Sequence, residues 1–159
     1  MSKKKLLVII MTLILTLGLC TSAIYASNPT DQRIINREVI YYPDGSSLET
    51  IIYLPLYSTY DSNTITATKR ATYRTENEAR WSVSVTGSFT YTGRSSLCTS
   101  SSVAAESYSP NWRIIDKSSS YSRNQATGTG IAEFFVGPTV VATKSLSVIL
   151  ECDIDGNLK

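Results

Sequence analysis

With the first 26 residues set aside, Cys98 and Cys152 are the side chains whose type and spacing point most directly to a chemistry. Two thiols this far apart are not the Cys-x-x-Cys couple of a dithiol oxidoreductase. In an oxidising compartment they are expected to form one disulfide, and two cysteines leave only one intramolecular pairing. The closed loop would be about 55 residues long, for which chain entropy gives about 4 kcal/mol. That is a large share of the roughly 5–15 kcal/mol that holds a domain of this size. A redox-active or intermolecular pair is the other role open to them.

Other chemistries lack materials. The sequence has no histidine, which excludes Ser-His-Asp and Cys-His nucleophiles and histidine-ligated zinc. Lys117-Ser118 and Lys144-Ser145 could suggest a Ser-Lys dyad, but neighbours on a strand point to opposite faces. The thirteen acids are scattered, whereas glycoside hydrolysis needs two carboxyl groups across a cleft. Gly128 and Gly130 fall in an expected strand, not at the strand-to-helix turn of a phosphate loop. Asp153-Ile154-Asp155-Gly156-Asn157 resembles a fragment of a calcium loop without its further ligands, and a polar turn is the expectation. No enzyme, cofactor or metal is expected.

The amino-terminal segment sets the compartment. Lys3, Lys4 and Lys5 form a basic head, Leu6 to Cys20 is uncharged and apolar, and Thr21 to Ala26 is mostly small. This is the layout of a secretory signal peptide cut after Ala26, or alternatively after Ala23. The apolar run is shorter than the roughly 20 residues of a membrane-spanning helix, so no stable span is expected after cleavage. Lipidation at Cys20 is disfavoured by Leu19, which stands where a small residue is wanted. Of the fifteen basic residues three leave with the signal, so twelve face thirteen acids. A near-neutral chain with scattered charge gives no footprint for nucleic acid.

The elements that must position the cysteines read as strands. Trp81, Val83, Val85, Phe89 and Tyr91 alternate with Ser82, Ser84, Thr86, Ser88, Thr90 and Thr92. This predicts a long antiparallel strand with one apolar and one hydroxyl face. Gly87 marks a bulge or a ring lying over the strand. Arg37–Tyr42 and Leu48–Leu54 flank Pro43-Asp44-Gly45, which predicts a hairpin. Pro55–Asn63 reads as a linker, so this hairpin either docks as an edge or stands apart. Strands are further expected over Thr64–Arg74, Leu97–Val103, Trp112–Tyr121, Gln125–Val136 and Thr139–Cys152, the last two joined at Gly137-Pro138. Leu146, Val148, Leu150 and Cys152 share one face.

The expected fold is therefore all-β. It is an antiparallel β-sandwich, immunoglobulin-like or related, with an N-terminal β-hairpin and one disulfide; a small barrel is the alternative. Residues 1–26 would be signal, 27–63 hairpin and linker, and 64–159 the sandwich core. Either Trp81 or Trp112 could pack on the disulfide, as in immunoglobulin domains. Tyr41, Tyr42, Tyr53, Tyr57 and Tyr60 suit strand packing and recognition alike. The hydroxyl face of Ser82–Thr92 fits a half-exposed sheet, or a hairpin that inserts into membranes.

Tyr41-Tyr42-Pro43-Asp44-Gly45-Ser46, Thr72-Tyr73, the run from Trp81 to Gly93, Cys98, Trp112-Arg113-Ile114, Cys152 and Gly156 together resemble a family of small secreted proteins of Gram-positive bacteria. The resemblance implies bacterial secretion, supports a single disulfide and brings no catalytic residues. The functional expectation is a secreted, non-enzymatic module binding an extracellular ligand, a cell-envelope glycan or protein. A bacteriocin- or toxin-like effector acting on membranes is the alternative.

Overall fold

The computed structural model describes residues 32–56 and 63–159. The expected signal peptide and the linker segment holding Tyr57 and Tyr60 lie outside the described residues. The described residues form eight strands: β1 (Gln32–Tyr41), β2 (Ser46–Pro55), β3 (Thr64–Thr75), β4 (Glu78–Tyr91), β5 (Ser96–Ser107), β6 (Trp112–Ser122), β7 (Gln125–Val136) and β8 (Thr139–Glu151). They build two antiparallel sheets, β1-β2-β3-β4-β5 and β6-β7-β8. This is an all-β sandwich. Each sheet is a meander of consecutive strands, and the chain passes between them once, after β5. An immunoglobulin domain exchanges strands between its sheets through Greek-key connections, so the expected immunoglobulin-like topology is replaced by a simpler one.

The alternation along β4 decides the core. Trp81, Val83, Val85 and Phe89 are fully buried. Opposite them β7 presents Ala126, Gly128, Gly130 and Ala132, all small. A Cβ added to Gly130 would come within 2.6 Å of Val83, and one on Gly128 within 2.9 Å of Val85. Large side chains on one sheet thus interdigitate with almost none on the other, and the two backbones approach closely. At Gly87 the pattern inverts: the Phe89 ring lies over it, 2.7 Å from where a Cβ would stand. The bulge follows one step later, between Ser88 and Phe89.

The turns follow from their residues. Gly45 takes φ 79°, and the Asp44 carboxylate accepts the Ser46 N–H (3.0 Å) and hydroxyl (2.6 Å). Glu76 and Asn77 both take positive φ between β3 and β4, the two-residue connection that matches strand twist. β1 and β2 are not separated from the rest: Ser46–Tyr53 of β2 pair with Thr75–Thr68 of β3. Glu49, buried on the outer face, is clamped between Arg37 of β1 and Arg74 of β3. Sheet β6-β7-β8 packs on β3, β4 and β5. β1 and β2 therefore project beyond β8, and β1 is exposed along its whole length.

Candidate functional site

Strand register sorts the connections into two ends. The turns at 42–45, 76–77, 108–111 and 137–138 gather at one; those at 92–95, 123–124 and 153–157 gather at the other.

The first end is aromatic. Tyr73 stands opposite Trp81 in the β3–β4 ladder, and Trp112 opposite Phe134 in the β6–β7 ladder. Each sheet thus contributes one cross-strand aromatic pair, and the pairs meet in the core. Trp81 and Trp112 stack at 6.1 Å, Tyr73 meets Trp112 edge-on at 5.6 Å, and Phe134 lies 5.3 Å from Trp112. β8 adds Lys144, whose Nζ is 4.8 Å from the Tyr73 ring centroid.

Two grooves open on either side of the Tyr73–Lys144 contact and share both residues. One, of about 420 Å³, is walled by Trp112, Phe134 and Arg80. The other, of about 540 Å³, is walled by Tyr42, Pro43, Leu48 and Leu146. Their charges differ in availability. Arg80 is engaged by Thr75 at 2.5 Å, Glu78 at 2.8 Å and Glu76 at 3.4 Å. Asp44 is engaged by Ser46, which holds its carboxyl below the ordinary 3.8. Among the described residues Lys144 forms no ion pair. The combined groove is an apolar, aromatic surface with one available ammonium, an arrangement suited to holding a ligand.

The second end holds the thiols. Cys98 lies opposite Phe89 in the β4–β5 ladder, and Cys152 follows β8. Both are buried and both are free thiols. The β6–β7 turn draws them together: Cys98 N–H donates to the Arg123 carbonyl (2.6 Å), and Cys152 N–H to the adjacent Asn124 carbonyl (3.1 Å). Burial pushes both thiols above their ordinary pKa, and charge on Cys98 would push Cys152 further. Neither tryptophan packs here. Trp81 is eight residues up β4 from Phe89, about 27 Å of strand, so the expected tryptophan–cysteine contact is replaced by Phe89.

The acidic C-terminal turn closes the same end. Asp153 Oδ1 accepts the N–H groups of Asp155 and Asn157, and Oδ2 accepts the Asn157 side-chain amide, each at 2.9 Å. Gly156, at φ 87°, lies against the Tyr91 ring. The carboxylate is spent on its own turn, as the polar-turn expectation has it. Among the described residues no cluster of three or more His, Cys, Asp or Glu could hold a metal ion.

The remaining residues singled out in the sequence fall elsewhere. Tyr41 is exposed, Tyr42 lines the groove, and Tyr53 lies under Arg70 on the outer face. The hydroxyl face forms a ladder with β3: Thr66–Ser88 at 2.8 Å, Thr68–Thr86 at 2.7 Å and Arg70–Ser84 at 3.2 Å. Ser82 is buried there and bonds the Tyr108 hydroxyl at 2.8 Å. Sequence reading names Lys144 only beside Ser145 and Tyr73 only within the resemblance, and assigns neither of them, nor Phe134, to a groove. The signal for Lys144 was present: it shares its strand parity with Leu146, Val148 and Leu150, a cation continuing an apolar stripe. No family model, curated protein or solved structure matches this chain.

Proposed function

We propose that this chain is a secreted, non-enzymatic binding module whose ligand surface is the groove around Tyr73 and Lys144. One observation carries the reading: an ammonium without an ion-pair partner among the described residues rests against an aromatic wall, beside two open grooves. Export is supported by the basic head, apolar run and small residues up to Ala26, and by the resemblance to small secreted Gram-positive proteins. In the oxidising exterior Cys98 and Cys152 pair; their backbones already flank one turn. The ligand is a component of the cell envelope, glycan or protein.

The test is retention of purified protein on isolated cell envelopes. Lys144→Ala is expected to reduce retention at least tenfold, while costing no more than about 1 kcal/mol of stability through the lost cation–π contact. Release of dye from liposomes, with no retention on envelopes, would instead establish the membrane effector. The Ser/Thr ladder on the outer face of β3 and β4 is the feature that reading would use.

A further inference from the structure

The two sheets differ in width, and the difference leaves a position for one more strand. β8 is the edge of the three-stranded sheet, and β1 and β2 reach past it. The inward faces of β1 and β2 carry Ile40 and Leu48, which oppose each other in their ladder. Ile40 is 46% exposed, and Leu48 walls the groove beside β8. This edge already accepts a β-bridge at one end. The C-terminal residues fold back so that Lys159 and Glu151 exchange backbone hydrogen bonds (2.9 and 3.0 Å), with Leu158 opposite Cys152. Leu158 packs onto the core from that seat. Among the described residues the rest of the β8 edge, from Thr139 to Leu150, has no backbone partner on that side.

Resting on the reading of this groove as a ligand surface, we infer that its partner is an extended polypeptide segment, which adds to β8 as a fourth strand, antiparallel to it, and sets an acidic side chain against Lys144. Strand addition supplies affinity through main-chain hydrogen bonds and specificity through alternate side chains. Both are provided for here. The open edge offers the backbone groups, and Leu48, Leu146 and Tyr73 offer apolar ground for the inward side chains. The charge commits the chemistry. Lys144 is the ammonium in the groove, and Asp44, an acid on the same wall that feels its charge, already holds Ser46. An inward-pointing lysine also blunts an edge against indiscriminate pairing, so a partner without a carboxylate is rejected and one with it is accepted.

Two experiments separate this inference from the broader reading. In the first, the full chain is extended beyond Lys159 by the seven residues Val-Thr-Val-Thr-Val-Thr-Glu. In the register set by Leu158 and Cys152, the seventh added residue stands opposite Lys144 and the three valines share its face. Tethering keeps the effective concentration high. Slowed amide exchange by at least tenfold along the free edge of β8 between Thr143 and Ile149 is expected, with a higher melting temperature. Replacing the added glutamate by lysine should remove most of both, and Lys144→Glu should restore them to the lysine tail. Exchange at those amides unchanged from the parent would overturn the strand position. In the second, envelopes are treated with protease before the retention assay. Lost retention supports a polypeptide partner; full retention assigns the groove to glycan and overturns the inference while leaving the binding module intact.

Discussion

The aromatic and cysteine ends obey one rule of strand alternation and reach opposite results. At the aromatic end, Tyr73, Trp81, Trp112 and Phe134 fill the space between the sheets with rings. Rings are wide, and three of them, Tyr73, Trp112 and Phe134, also wall a groove open to solvent. At the cysteine end, small thiols, Phe89 and Leu150 occupy the equivalent layers. The β6–β7 turn and the C-terminal turn then fold over the opening. At the first end grooves open directly beside the packed rings; at the second the thiols are covered by backbone, and a groove of about 420 Å³ opens away from them, between Tyr91, the C-terminal turn and the outer strands at Arg33, Ile35 and Leu54.

The largest expected effect tests whether the rings are structural. Trp81 is fully buried between the Gly130 backbone and Trp112. Trp81→Ala should destabilise the fold by about 3–5 kcal/mol, measured by urea unfolding. A loss under about 1 kcal/mol would mean that the aromatic end belongs to the ligand surface alone.

The next effect tests whether the second end is clamped by more than packing. If Cys98 and Cys152 pair on oxidation, reductant removes a stabilisation of about 4 kcal/mol. The melting temperature should fall by more than about 10 °C. Cys98→Ala should melt at the same temperature with and without reductant. An equal melt for the oxidised and reduced parent protein would mean that the second end is held by packing and turns alone. High thiol pKa values keep the reduced cysteines protonated near neutral pH, so alkylation should be slow in the folded protein.

This contrast also explains what the sequence disclosed. Period-two alternation in β4 is unmistakable, because from Trp81 to Tyr91 every odd position except Gly87 is large and apolar. The same logic understated β5, expected to end at Val103 but paired as far as Ser107. Beyond Val103 it reads Ala104-Ala105-Glu106-Ser107, with no apolar alternation, so its length is set by the ladder with β4, not by its own hydrophobicity. The inward face of β7 is small because β4 is large, and smallness alone carries no periodic signal. The groove was illegible for a related reason. All three groove residues are ordinary in type, Tyr73 is far in sequence from Phe134 and Lys144, and only the crossing after β5 brings it to their hairpin. The approach of Cys98 to Cys152 follows from the compartment that the amino-terminal segment leads one to expect, but the turn that aligns them is visible only in the fold.

The smallest effect concerns how the second end closes. The Asp153 carboxyl is held below its ordinary 3.8 by hydrogen bonds from the Asn157 side chain and backbone, with the Asp155 N–H and Lys159 adding to the shift. A carboxyl with a depressed folded pKa contributes stability that is fully present above the unfolded value. That contribution is lost as pH falls through the folded value. Asp153→Asn keeps an acceptor for the turn and cannot titrate. The parent should therefore melt higher than the variant near about pH 6, and the gap should shrink below about pH 4 and close as the carboxyl protonates. Asp44 and Glu151 also sit below their ordinary values, but they titrate in both proteins and cancel in the difference. The side chain is exposed, so screening by solvent keeps the gap small. Its pH dependence, not its size, is the measurement: a constant gap would mean that the turn is held by backbone geometry at Gly156 and owes nothing to the charge on Asp153.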